Sequence, residues 1–177
     1  MKRYVALLRG VFTASTKMAD LRSAFEAAGF EDVKTVLASG NVLFSADAAP
    51  VAALERRIEA ATKKRLAKPV PAFVRPVASL EALLDEDPFA RFRLAADAKR
   101  IVSFLHAKPK GPLRLPIVRE KAKILGIDGT TVYTAYLRQP GNPVFMALLA
   151  DTFGDGVTTR TWDTIAKIVG ADKRNSD

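Results

Sequence analysis

The sequence predicts an α+β protein with two subdomains, the first of them ferredoxin-like. Residues 4–8 form an apolar run that is too short for a stable helix, which is typical of a strand buried on both faces. It is followed by a run of helical periodicity, two strand-like runs, a second helical run and a proline-rich strand. This βαββαβ order predicts an antiparallel sheet with two helices on one face and the strand order 4-1-3-2.

Local signals set the limits of these elements. Thr16 is predicted to cap the first helix, and Gly29 is predicted to end it in a left-handed conformation. Residues 32–37 and 41–45 flank a short turn that contains a glycine, so we expect them to pair antiparallel. Pro50 is predicted to open the second helix. The prolines of the fourth strand place that strand at an edge of the sheet.

The second half of the chain predicts a related α+β unit. Residues 99–106 are strand-like, and a later hairpin turns at Asp128-Gly129, which is the strongest hairpin signal in the chain. Two helices follow, and Thr158 and Thr159 are predicted to cap the last one. The predicted division of the chain is a ferredoxin-like subdomain at 1–76, a linker with a short acidic helix at 77–97, and a second α+β subdomain at 98–177.

Composition narrows the possible chemistry. The chain has 28 Lys and Arg against 19 Asp and Glu, a formal charge of +9, which favours an anionic partner but also serves solubility alone in many proteins. The lack of cysteine excludes disulfides, thiol nucleophiles and thiolate metal ligands. His106 is the single histidine, and we interpret the acidic residues 85–87 as a solvated helix end. The sequence therefore predicts no metal site and no cofactor.

Polar residues of the first subdomain are expected to converge at one edge of its sheet. In the predicted topology this edge carries Arg9, Thr16, Lys17, Ser39 and Asn41, together with Lys63 and Lys64 of the second helix. A helix N-terminus surrounded by Arg, Lys and hydroxyl donors can bind an anion. In the alternative interpretation Arg9 and Asn41 only brace the hairpin, as turn residues commonly do. The predicted ligand-binding residues at this edge are Arg9, Lys17, Ser39 and Asn41.

A second candidate site precedes Trp162. Thr159 and Arg160 could hold a phosphate at the N-terminus of the last helix. The alternative is a capping threonine followed by a surface arginine and a core tryptophan. For nucleic acid, the charge suits weak, non-specific binding to phosphates, but the central strands lack the exposed aromatic residues that an RNA-recognition sheet needs.

Five segments resemble a known family in their order and spacing. They are YVALLRG at 4–10, MADLR at 18–22, AGF at 28–30, SGNV at 39–42 and TTRTW at 158–162. In these five segments the chain is similar to the bacterial family catalogued as domain of unknown function 1697. This resemblance implies an α+β fold with a ferredoxin-like part, and it brings no established activity, ligand or catalytic residue.

The chain also departs from the pattern of that family. Members usually carry an Asn and a Gly-Gly pair after the Arg-Gly, whereas residues 11–17 of this chain are fewer and contain no glycine. Members tend to have a Gly-Arg-Ser-Lys-like run before the penultimate helix, where this chain reads PGNPV at 140–144. We therefore expect a divergent member with a weakened site.

The leading functional hypothesis is a non-catalytic module that binds an anionic or phosphorylated ligand. A small enzyme of unknown reaction and an oligomeric interaction protein stay open as alternatives, and the sequence does not set the oligomeric state. No apolar run approaches the roughly 20 residues that span a bilayer. Residues 1–3 lead straight into the first strand without the apolar core of a signal peptide. We therefore expect a cytoplasmic protein without a membrane partner.

Overall fold

A computed structural model describes residues 1–11 and 14–173 and divides the chain into two compact units. The first unit comprises residues up to Asp85 together with those from Ala166 on, and the second comprises Glu86–Ile165. In chain order the elements are β1 (Lys2–Leu8), α1 (Met18–Ala27), β2 (Glu31–Val36), β3 (Asn41–Ala46), α2 (Val51–Leu66), β4 (Ala72–Pro76), α3 (Val77–Glu86), β5 (Lys99–Leu105), β6 (Ile117–Arg119), β7 (Ala122–Asp128), β8 (Thr131–Tyr136), α4 (Val144–Phe153), β9 (Val157–Thr161) and α5 (Trp162–Lys173).

The sheet of the first unit has the order β2-β3-β1-β4, and each neighbouring pair is antiparallel. This is the predicted order 4-1-3-2, and the α+β class is confirmed. β1 lies inside the sheet, as its apolar run predicts. The unit is larger than a simple ferredoxin-like sandwich, because the chain continues from β4 directly into α3 and because the end of α5 also belongs to it.

An aromatic cluster fills the core between this sheet and helices α1 and α2. The ring of Phe44 lies 4.6 Å from that of Phe30, 5.5 Å from that of Phe25 and 5.7 Å from that of Tyr4. All four side chains are buried. Gly29 has φ +79° at the end of α1, and the amide of Phe30 donates to the carbonyl of Phe25 over 3.2 Å. The predicted left-handed stop therefore carries Phe30 into the core.

Three side chains on one face of helix α2 form hydrogen bonds with backbone amides along the outer edge of β4. Oε1 of Glu55 accepts a hydrogen bond from the amide of Val74 over 2.9 Å, and Oε1 of Glu59 accepts one from the amide of Ala72 over 3.2 Å. Oγ1 of Thr62 accepts a third, over 3.0 Å, from the amide of Val70 just before the strand. Unpaired amides on an edge strand invite pairing with another chain. These three bonds close that edge.

The end of α5 is fixed to β1 and β2. Nε of Arg3 lies 2.6 Å from Oδ1 of Asp172, and Nη1 of Arg3 donates to the carbonyl of Asp32 over 2.9 Å. Nζ of Lys34 donates to the carbonyl of Ala171 over 3.2 Å. Charged side chains of β1 and β2 therefore hold the end of α5 within this unit.

The second unit contains a five-stranded antiparallel sheet of order β6-β7-β8-β5-β9. Helix α4 packs on one face, where Leu148 and Leu149 are buried against apolar residues of β5, β7, β8 and β9. Phe89 lies 5.9 Å from Tyr133 and 5.2 Å from Trp162, ring to ring. The predicted hairpin at Asp128-Gly129 is present as β7 and β8. Strand β6 was not predicted, because it is three residues long and follows a loop rich in proline and glycine.

The predicted cap of the last helix is wrong. Thr158 and Thr159 lie in β9, and α5 begins only at Trp162. The amide of Thr164 donates to Oγ1 of Thr161 over 3.1 Å, so Thr161 is the residue that caps this helix. Threonine favours strands as well as helix caps, and pairing with β5 decides between the two.

We expect Glu55→Ala to lower the free energy of unfolding by about 3 to 5 kcal/mol, because it breaks a buried charge pair. Nη1 of Arg75 lies 3.9 Å from Oε1 of Glu55, with side chains 12% and 11% exposed. Burial lowers the pKa of the Arg75 guanidinium below its ordinary value, and the attraction of Glu55 offsets part of this shift. Urea unfolding followed by circular dichroism measures the loss.

Glu55→Gln keeps an acceptor for the amide of Val74 and should cost less than Glu55→Ala. Arg56→Ala, on the exposed side of the same helix, is the control and should change stability by less than about 0.5 kcal/mol. Equal losses for Glu55→Ala and Arg56→Ala would contradict the role given to Glu55.

Candidate anion site at a basic edge

Arg9 lies where three elements of the first unit meet. It follows β1, and its amide donates to the carbonyl of Pro71 over 2.9 Å, just before β4. The amide of Leu8 donates to the carbonyl of Gly40 over 2.8 Å, in the turn between β2 and β3. The end of β1 is thus fixed between this turn and the start of β4. The Arg9 side chain is half-buried there.

The N-terminus of α1 differs from the predicted one. Lys17, not Thr16, occupies the N-cap position, and its side chain forms no capping hydrogen bond. Thr16 is 5% exposed and so is buried beside it. The first amides of a helix have no partner within the helix and carry partial positive charge. This end of α1 is therefore electrostatically suited to an anion.

The last turn of α2 brings further cations to the same helix end. Nη2 of Arg65 lies 3.3 Å from Oδ1 of Asp20 in the first turn of α1. Lys63 and Lys64 belong to that last turn of α2, and both are exposed. We name this region the basic edge and define it by Arg9, Lys17, Lys63, Lys64 and Arg65.

Ser39 and Asn41 are engaged within their own turn. Nδ2 of Asn41 donates to the carbonyl of Val36 over 3.0 Å and to Oγ of Ser39 over 3.0 Å. Asn41 is fully buried, and Ser39 is exposed. These bonds close the turn between β2 and β3. A contact between the Arg9 side chain and this turn stays a prediction.

Thr159 and Arg160 belong to the second unit and sit in β9. Nη1 of Arg160 donates to Oγ1 of Thr158 over 3.0 Å and to the carbonyl of Thr159 over 2.7 Å. The residue is 9% exposed, and burial lowers the pKa of its guanidinium to about 10. Arg160 is therefore charged at neutral pH but directs these two bonds into its own strand. Thr159 and Arg160 thus lie in a strand rather than in the first turn of α5, and a phosphate site at these two residues stays a prediction.

Comparison with known proteins places the chain in a family. Residues 1–133 match the model of a family described as a protein of unknown function, DUF1697. The chain belongs to the DUF1697 family. No curated protein matches it. Among solved structures, this DUF1697 chain is similar to the conserved bacterial protein SP0830 from Streptococcus pneumoniae, with 21% identity, 98% of this chain and 99% of that chain covered, and a TM-score of 0.71. The likeness shows a shared fold.

Other features of the DUF1697 chain bear on the classes of function considered. Within residues 1–11 and 14–173, no group of three or more His, Asp or Glu side chains is placed to hold a metal ion. The same residues contain no helix that is both long enough and apolar enough to cross a membrane.

Sequence reasoning missed two charged residues that hold elements of the first unit together. Arg3 joins β1 to Asp172, and Glu55 accepts from β4. Glu55 lies one residue after Leu54 in the apolar pattern of α2, so it falls beside the buried face rather than opposite to it. The position of Glu55 in the sequence pattern could have identified it, because a carboxylate near the core requires a partner.

Asn41→Ala should lower the free energy of unfolding by about 1 to 3 kcal/mol, because a buried carbonyl loses its donor. Ser39→Ala should cost less, since its hydroxyl is exposed to water. Differential scanning calorimetry of both variants measures the losses. If Ser39→Ala proves as costly as Asn41→Ala, the amide of Asn41 is not what closes the turn.

Proposed function

We propose that this DUF1697 chain is a non-catalytic module that binds an anionic or phosphorylated small molecule at the basic edge. The single observation that carries the proposal is the N-terminus of α1, where Lys17 holds the N-cap position without a side-chain cap and the pair Arg65–Asp20 brings the last turn of α2 beside it. Amides at a helix N-terminus and nearby cations together suit phosphate oxygens.

Each side chain has a role in this proposal. Lys17, at the N-cap position, is a flexible point charge beside the anion. Arg9, held at the end of β1, supplies a planar donor group that matches phosphate or carboxylate geometry. Lys63 and Lys64 add longer-range attraction, which falls with salt. Ser39 and Asn41, which close the neighbouring turn, complete the set of residues proposed to bind the ligand.

The proposal includes a cytoplasmic location and weak, non-specific binding of nucleic acid through the same cations. Phosphates of a nucleic acid would engage the basic edge by charge alone, so such binding depends strongly on salt. A small enzyme and an oligomeric interaction protein remain the alternatives. Turnover of a small molecule would favour the enzyme. A particle mass that rises with protein concentration would favour the oligomeric interaction protein.

A thermal-shift titration with tripolyphosphate, ATP and a short oligonucleotide tests the proposal. We expect stabilisation at low salt that fades at high salt, because ligands that bind only the folded state raise the melting temperature. Arg9→Ala should weaken binding by about 1.5 to 3 kcal/mol, the range for a hydrogen bond to a charged group. Lys17→Ala should weaken it less, since an exposed point charge contributes little.

Arg22→Ala is the matched control. Arg22 is exposed on α1, one turn beyond the helix start, and its Nε lies 2.7 Å from Oε1 of Glu26. Its removal subtracts the same charge without touching the basic edge. If Arg22→Ala reduces binding as much as Arg9→Ala does, the ligand senses only net charge and the assigned site is wrong.

A further inference from the structure

A cleft in the second unit lies between the end of β8 and the start of α4. Its volume is about 250 Å³. Pockets for drug-sized ligands usually measure about 300 to 1,000 Å³, so this cleft suits a smaller molecule. It is lined by the segments 121–122 and 136–146. All of these residues belong to the second unit, so the cleft is independent of the basic edge.

The charged side chains that line the cleft are both cationic. They are Lys121 and Arg138, and no carboxylate residue lines it. Within the described part of the chain neither side chain forms an ion pair. Among the acids of this unit, Asp151 pairs with Arg119, its Oδ2 2.6 Å from Nη1, whereas Oε2 of Glu120 accepts from Nδ2 of the lining residue Asn142 over 3.0 Å. The lining itself thus carries two positive charges and no negative one, and the carboxylate of Glu120 bonds Asn142 from outside the lining.

One wall of the cleft is apolar and contains a pair of stacked rings. The rings of Tyr136 and Phe145 stack with centroids 4.5 Å apart and an angle of 20° between their planes. Met146 beside them is 54% exposed, although it follows directly in α4. Exposed methionine next to aromatic rings is typical of surfaces that accept varied apolar groups. A ligand here can therefore bury an apolar part as well as a charge.

The loop that closes the cleft is held by its own hydrogen bonds. The amide of Asn142 donates to the carbonyl of Gln139 over 3.0 Å, and the amide of Val144 donates to Oδ1 of Asn142 over 3.2 Å. Gly141 between them has φ +72°, which a side chain would strain. A cleft formed by such a loop needs little reorganisation to bind, which favours affinity.

We propose that this cleft binds a small amphipathic anion, namely one carboxylate or phosphate group attached to an apolar or aromatic body. The anionic group lies between Lys121 and Arg138, and the apolar body lies against Phe145 and Met146. The cleft thus selects for both parts of the ligand, whereas the basic edge selects for charge. The two proposals stand or fall separately, because their residues lie in different units.

Amide chemical-shift mapping of the ¹⁵N-labelled full chain tests this inference. The probes are phenyl phosphate and benzoate, with inorganic phosphate and phenol as comparators that carry only one of the two parts. We expect phenyl phosphate or benzoate to shift the amides of Gly141, Asn142 and Phe145 at millimolar concentration or below. Which of the two binds more tightly identifies the preferred anionic group.

Variants separate the two contributions. Arg138→Ala should weaken phenyl phosphate binding about tenfold, the effect of losing one charge-assisted hydrogen bond. Met146→Ala should weaken phenyl phosphate and benzoate but leave inorganic phosphate unchanged. Lys108→Ala is the control, since Lys108 is exposed in the second unit and does not line the cleft, and it should bind as the unaltered chain does.

Three results would overturn the inference. Inorganic phosphate binding as tightly as phenyl phosphate would show that the apolar wall plays no part. Phenol binding as tightly as phenyl phosphate would show that the cations play no part. Shifts confined to residues outside the cleft, or absent with every probe, would show that no such site exists, whatever the outcome at the basic edge.

Discussion

The pairing of β4 with side chains of α2 is the constraint on which the candidate site depends. Glu55, Glu59 and Thr62 are spaced four and three residues apart, so they share one helix face, and their partners alternate along the strand. This match fixes both the position and the direction of α2 against the sheet. The direction then brings the basic last turn of α2 to the start of α1, where Arg65 meets Asp20. The basic edge is a consequence of how the strand edge is closed.

The net charge of +9 does not by itself locate a site, because the fold uses cations in two ways. Arg3, Arg75 and Arg160 are largely buried and donate hydrogen bonds to backbone carbonyls, Arg160 within its own strand. Burial makes these charges costly unless they are paired, so they serve the structure. Lys17 and Lys64 are exposed and are not needed for packing. The structure thus separates cations that hold the fold from those that can meet a ligand.

Much of the fold could be predicted from the sequence, and the candidate site could be predicted only in part. Periodicity and turn residues determine local structure, so β1, the hairpin after β2 and the left-handed end at Gly29 were predictable. β9 was not, because threonines before Trp162 fit a helix cap as well as a strand, and only pairing with β5 decides. The grouping of Lys17 with α2 followed from topology. The engagement of Asn41 and Arg160 with their own backbone required side-chain geometry.

The two proposed sites differ physically in how water and salt reach them. At the basic edge the cations are on the surface, and in about 0.1 M salt their field is screened over roughly 10 Å, so a ligand held there by charge dissociates as salt rises. In the cleft of the second unit, Phe145 and Met146 belong to the lining and would shield part of the proposed ligand from water. Apolar burial is not weakened by salt, and a charge pair beside an apolar wall is less screened. Binding that survives high salt would therefore come from the cleft, and binding that fades with salt would come from the basic edge.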